Sequence, residues 1–120
     1  MGVDINMYTF WGIRVPTYDE EFVEKYEEKY GYSNRSKSGG IFDGMSGEYM
    51  VLGCILFDSG NIRYGELHEG FMQQDIRTIP ALEEDYREKF LEDFPEYAYL
   101  LSEPFQIISF THFLEALLCS

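Results

Sequence analysis

Glutamates that recur at every fourth position give the sequence its clearest chemical pattern. The two rows consist of Glu20, Glu24, Glu28, Glu84, Glu88 and Glu92. On a helix, residues four apart share one side and lie about 6 Å apart along the axis. That distance is comparable to the separation of neighbouring phosphates on a nucleic-acid strand, so two such rows would resemble a duplex to a basic groove. The alternative interpretation is a solvated helix face that only keeps the chain soluble.

The overall charge favours an acidic binding surface. Asp and Glu number 22 against nine Lys and Arg, which gives a net charge of −13. Such a chain is repelled by nucleic acid and by anionic membranes, so we expect neither as a direct partner. The sequence predicts a small protein-interaction module that inhibits a basic, nucleic-acid-binding protein, as a viral anti-defence protein with DNA-mimic character would. A structural or assembly protein is a further alternative.

A stretch rich in Ser and Gly, residues 33–47, carries the alternative of an anion site. Arg35 and Lys37 lie in it, and no acid occurs from Lys29 to Phe42. Backbone N–H groups around glycines can hold a phosphate, although a strand rather than a helix is predicted to follow this stretch. We expect a flexible loop here. The rival functional class is a small anionic-ligand-binding or enzymatic domain that uses residues 33–40.

No catalytic or metal motif is present. The sequence contains no P-loop, GxGxxG, HExxH or paired CxxC. A metal site would need His68 and His112 together with Glu66 or Glu69, and no short histidine spacing supports that set. We therefore predict no metal, no cofactor and no catalytic residue.

The two cysteines, Cys54 and Cys119, do not suggest a disulfide framework. Cys54 lies in an apolar stretch that should raise the pKa of its thiol, which argues against a nucleophile paired with His68. No secretory signal opens the chain and no apolar run is long enough to span a membrane, so we expect a cytoplasmic protein.

The elements that would position these residues alternate in type along 120 residues, the size of one domain (1–120). The predicted elements are a strand at 3–15, a helix between Thr17 and Gly31, a hairpin of strands 48–57 and 62–68, a helix from Pro80 to Pro95 and a strand at 105–113. This β-α-β-β-α-β order indicates an α+β domain with an antiparallel or mixed four-stranded sheet, and a ferredoxin-like arrangement is one that fits.

Both predicted helices carry an apolar stripe with a period of four residues. The stripes match at an offset of 64 and consist of Tyr18, Phe22, Tyr26 and Tyr30, and of Leu82, Tyr86, Phe90 and Phe94. We therefore expect both helices to pack on one face of the sheet.

The aromatic residues outnumber those that two helix stripes use, because the chain has ten Tyr and ten Phe. Tyr8, Phe10, Tyr64 and Phe110 are expected on the sheet face away from the helices. An uncovered aromatic face would be an interface, which predicts a possible homodimer. The alternative is that a loop or the C-terminal tail covers this face within one chain.

Overall fold

The central strand of the sheet is β1 (Asp4–Val15). Successive side chains of a strand point to opposite faces, so β1 contributes to two apolar layers. Ile13 and Val15 are buried beneath the helices, whereas Tyr8 and Phe10 are buried on the other face. The computed structural model describes residues 4–35, 37–44, 46–60, 62–63 and 75–113.

The sheet is antiparallel at every described pairing. Strand β1 pairs with β3 (Met50–Asp58) on one side and with β5 (Gln106–Phe113) on the other, and β2 (Gly40–Phe42) pairs with β3. Because β1 and β2 both run antiparallel to β3, which lies between them, they are parallel to each other. Four strands lie in the order β2-β3-β1-β5, and a fifth strand of two residues also pairs with β1. This arrangement confirms the α+β class with an antiparallel sheet. The ferredoxin-like arrangement is compatible with it.

The predicted hairpin is wrong. Its first strand, 48–57, corresponds to β3, but β3 forms its hairpin with β2, inside the stretch predicted to be a loop. Strand β4 (Ile62–Arg63) pairs instead with the start of β1, and the rest of the predicted strand, 64–68, lies outside the described residues. Strand β2 escaped prediction because only two apolar residues, Ile41 and Phe42, stand among its Ser and Gly neighbours.

Helix α1 (Glu20–Tyr30) begins one residue after its N-cap, Asp19. The Asp19 carboxylate accepts the backbone N–H of Phe22 at 3.1 Å, so Asp19 caps the helix, two residues after the predicted boundary at Thr17. The helix ends at Gly31, as predicted, with a φ of 79° that favours glycine.

Helix α2 (Ile79–Asp93) has Pro80 in its first turn, where a missing N–H costs nothing. A short 3₁₀ segment, Ile76–Thr78, precedes it, and a second, Pro95–Leu101, follows its C-cap, Phe94. None of the described helices is long and apolar enough to cross a membrane.

Both helices cover the same face of the sheet, as predicted. Phe22 of α1 and Phe90 of α2 share one core cluster, and their ring centroids lie 5.8 Å apart. Phe22 also contacts the rings of Phe94 and Tyr97, which close the cluster beyond the end of α2.

Candidate interaction surface

The first glutamate row lies on the solvent side of α1. Glu20, Glu24 and Glu28 are all exposed, whereas Phe22 and Tyr26 on the opposite side are completely buried. The helical period explains the separation, because the core residues and the glutamates differ by about half a turn.

The second row has the same position on α2. Glu84, Glu88 and Glu92 are exposed, and Phe90 on the opposite side is buried. Since both helices cover one sheet face, the two rows point away from the sheet on the same side of the molecule.

These six glutamates, like Asp85 of α2, have no ion pair within the described part of the chain. By contrast, Glu27 pairs with Arg35 at 3.7 Å and Glu83 pairs with Arg87 at 2.8 Å. The unbalanced negative charge of the helices is therefore carried by the two rows and by Asp85, which is also exposed.

A cleft of about 530 Å³ separates the helices where α2 meets the following 3₁₀ segment. Lys25 lines it, and its Nζ lies 3.2 Å from Glu96 and 3.6 Å from Glu21. The Glu96 carboxylate raises the pKa of this lysine by accepting its hydrogen bond. Glu21 and Glu96 are both exposed, so their ion pairs with Lys25 contribute little to the stability of the fold.

Asp93 forms the most enclosed charged group of the cleft, with a side chain only 3% exposed. Lys29 and Lys89 lie 3.2 and 3.3 Å from its carboxylate, and the Tyr30 hydroxyl donates to it. Burial alone would raise the pKa of Asp93, but these hydrogen bonds and the lysine charges outweigh it and lower the pKa. Asp93 thus joins α1 to α2, and its lysine partners neutralise charge between the two glutamate rows.

Arg35, one of the two residues predicted to bind an anion, already has partners within the chain. Its guanidinium lies over the rings of Tyr32 and Phe42, 4.3 and 5.4 Å from their centroids, and faces Glu27. An anion would have to displace that carboxylate. Lys37, the other predicted residue, is exposed.

Hydrogen bonds hold the stretch 33–47 at several described points. The Tyr26 hydroxyl lies 2.7 Å from the Ser38 hydroxyl, and the Tyr86 hydroxyl donates to the Gly39 carbonyl at 3.1 Å. Gly39 has a φ of 96°, and a Cβ there would lie 2.4 Å from the Gly53 carbonyl oxygen. The part around Gly39 is therefore shaped by contacts with both helices, while flexibility of the whole stretch stays a prediction.

The expected aromatic interface is buried within the chain at two of its four positions. Tyr8 and Phe10 are 4% and 0% exposed. Phe110 is half-buried against both rings, and Tyr64 lies outside the described residues. Because Tyr8 and Phe10 already have apolar neighbours, their side chains do not form an open face, and association through it stays a prediction.

The residues considered for metal binding and catalysis are only partly described. His112 is buried with its Nδ1 3.2 Å from the Tyr49 hydroxyl, whereas His68, Glu66 and Glu69 lie outside the described residues. Across the described ranges, no three His, Cys, Asp or Glu side chains form a group that could hold a metal ion.

Cys54 has the environment that the sequence predicts. Burial raises the pKa of its thiol to about 11, and Glu83 and Asp85 add to that effect. The Sγ donates to the Leu82 carbonyl at 3.3 Å. Such a thiol stays protonated near neutral pH, which disfavours a nucleophilic role.

One polar network on α2 was missed at the sequence level. The Glu83 carboxylate accepts from the Trp11 indole and from Arg87, both at 2.8 Å, and Arg87 also donates to the Leu101 carbonyl at 2.8 Å. The spacing of Glu83 and Arg87 signals their pairing, but no sequence pattern signals the contact with Trp11.

Comparison with known proteins gives one partial similarity. The chain is similar to a 4-diphosphocytidyl-2-C-methyl-D-erythritol kinase from Thermotoga petrophila, with 31% identity over 100 residues. The match covers 82% of this chain but only 37% of the kinase, so the chain spans little more than a third of that relative's length. No protein-family profile and no solved structure matches the chain.

Proposed function

We propose that this chain is a small acidic protein-interaction module that binds and inhibits a basic, nucleic-acid-binding protein. The observation that carries the proposal is the pair of exposed glutamate rows, which have no ion pair within the described residues and lie on one side of the molecule. Inhibition would follow from occlusion of a nucleic-acid-binding groove, the strategy of a DNA mimic such as a viral anti-defence protein.

The fold leaves like charges close together within each glutamate row. Like charges four residues apart cost a few tenths of a kcal/mol per pair, and each row contains two such pairs. A basic partner would relieve this repulsion on binding. Charge of one sign on a shared face also accelerates the encounter with such a partner.

The first experiment removes charge without disturbing the helices. The quadruple variant Glu24→Gln, Glu28→Gln, Glu88→Gln and Glu92→Gln keeps helix propensity nearly constant. Its free energy of unfolding should equal that of the wild type or exceed it by about 0.5 kcal/mol, because repulsion is relieved. Basic proteins captured by the wild type should bind the variant more weakly, mainly through a lower association rate, and wild-type binding should fall steeply with added salt.

A matched pair of double variants controls for net charge. Glu24→Gln with Glu88→Gln removes two charges from the rows, and Glu48→Gln with Glu103→Gln removes two exposed charges elsewhere. The row variant should lose more affinity than the control, and duplex DNA should compete with the chain for the captured protein. Equal loss in both variants, or salt-independent binding, would contradict the proposal.

The kinase similarity favours a second candidate, a ligand-binding or catalytic unit. That kinase is more than twice as long as this chain, so kinase chemistry would need parts beyond the matched segment. The cleft with Lys25 and Lys29 would be the place for a phosphorylated ligand. Calorimetry with ATP and with a cytidine nucleotide tests this, using Lys29→Met as the variant that should abolish any heat of binding. The rival of a structural or assembly role has no specific observation in its favour.

A further inference from the structure

The two edges of the sheet differ in a way that points to self-association. Within the described part of the chain, β2 pairs only with β3 and β5 pairs only with β1. Strand β2 has three residues, whereas β5 has eight. A long edge strand presents a row of backbone donors and acceptors that another strand can pair with.

Strand β5 contains none of the residues and, in its described pairing, none of the bulges that usually protect such an edge. Residues 106–113 include no Asp, Glu, Lys, Arg or Pro. The pairing of β5 with β1 also runs without a bulge from Phe113 to Gln106. In a chain with a net charge of −13, this uncharged edge is where two copies can approach with the least repulsion.

The side-chain pattern of β5 matches itself under a two-fold axis at Ser109. Antiparallel pairing centred there sets Ile107, which is 64% exposed, opposite Thr111, and sets half-buried Ile108 opposite half-buried Phe110. Such cross-strand pairs of β-branched and aromatic residues are stabilising. A centre at Ile108 would instead place Phe110 opposite Gln106, an aromatic ring against a polar amide.

We propose that a second copy of this chain pairs antiparallel along β5, with Ser109 opposite Ser109. The two-fold axis is then perpendicular to a continuous sheet, so the helices of both copies lie on the same side. The glutamate rows of both copies would share that side, and the acidic surface would double in extent. This dimer does not depend on the basic protein proposed above as a binding partner.

Disulfide trapping tests the register, in a background with Cys54→Ala and Cys119→Ser. Ser109→Cys should give a covalent dimer under mild oxidation, because opposite residues of an antiparallel pair have Cα atoms about 4.5–5.5 Å apart, within the range for a disulfide. Thr111→Cys is the matched control on the same exposed face. Its two copies would lie about 14 Å apart and should not cross-link. The double change Ile107→Cys with Thr111→Cys should restore cross-linking.

Sedimentation equilibrium of the unmodified chain tests the association itself. We expect a dimer at micromolar concentration, and Ser109→Lys should weaken it about fivefold because like charges then face each other. A monomer at about 100 μM, or equal cross-linking of Ser109→Cys and Thr111→Cys, would overturn the proposal. The quadruple glutamate variant should still dimerise, which separates this result from the fate of the proposed function. Circular dichroism checks that each variant is folded.

Discussion

Helices α1 and α2 carry nearly the same sequence pattern but attach to the sheet by different means. Helix α1 buries Phe22, Val23 and Tyr26, whereas α2 buries only Phe90 fully. Leu82, a member of the second predicted stripe, is 38% exposed. The stripe on α2 is therefore open at its N-terminal residue, Leu82, and enclosed toward its other end, where Phe90 and Phe94 are buried.

Polar contacts complete the attachment of α2. Glu83 is bonded to Trp11 of β1, Arg87 reaches the Leu101 carbonyl, and the Tyr86 hydroxyl reaches the Gly39 carbonyl. The matched apolar spacing of α1 and α2 therefore directs both helices to the same face of the sheet. It does not determine how much of each helix's attachment comes from apolar burial and how much from polar contacts.

The largest expected effect is a loss of stability when a buried phenylalanine is truncated, and this loss should differ between the two helices. Phe22→Ala should lower the free energy of unfolding by about 3–5 kcal/mol, because Phe22 is fully buried among several rings. Phe90→Ala should fall toward the lower end of the same range. Leu91→Ala on α2, with a side chain 48% exposed, is the control and should change stability by about 0.5 kcal/mol or less. Urea denaturation measures all three, and a larger loss at Phe90 than at Phe22 would break the comparison.

A smaller effect should identify the polar attachment of α2. Arg87→Ala removes the bonds to Glu83 and Leu101 and the contact with the Phe105 ring, so we expect a loss of about 1–3 kcal/mol. Arg87→Lys should recover only part of it, since a lysine cannot reproduce the forked donor geometry. Full recovery by lysine, in the same denaturation assay, would mean that charge alone attaches this helix.

The smallest effect concerns the carboxylate that joins the two helices. The pKa of Asp93 is lowered in the folded chain, so its contribution is present above the ordinary aspartate pKa of about 3.9 and is lost as pH falls through the lower folded value. Asp93→Asn should therefore destabilise the chain at neutral pH, and the difference from the wild type should shrink as the solution is acidified below about pH 4. Thermal unfolding from pH 7 to pH 2 checks this. A difference that stays constant with pH would show that Asp93 acts through packing rather than charge.

Much of this architecture follows from periodic patterns in the sequence. The alternation in β1, the four-residue stripes and the stop at Gly31 predict the central strand, the helices and their shared face. The glutamate rows follow from the same period, because residues opposite a buried stripe must face solvent. Local patterns were therefore enough to predict features that depend on a single helix or strand.

The features that the sequence did not predict depend on contacts between distant parts of the chain. Strand β2 is too short for a pattern of its own and is stabilised by burial of Ile41 and Phe42 against other elements. The pairing of Arg35 with Glu27 was not predicted because the two residues lie in different elements, eight positions apart. Burial of Tyr8 and Phe10 likewise depends on tertiary packing, which strand alternation alone does not reveal.

The pairing of β1 with β5 sets when this protein can complete its fold during synthesis. Thr9 and Ser109 are partners although they lie 100 residues apart. At roughly 5–20 residues per second, β1 leaves the ribosome about 5–20 s before its partner strand exists. One edge of the central strand must stay unpaired for that time, and distant pairings of this kind also slow folding. The sheet can therefore close only after β5 has emerged, so nascent chains stalled before residue 106 should lack its cooperative structure.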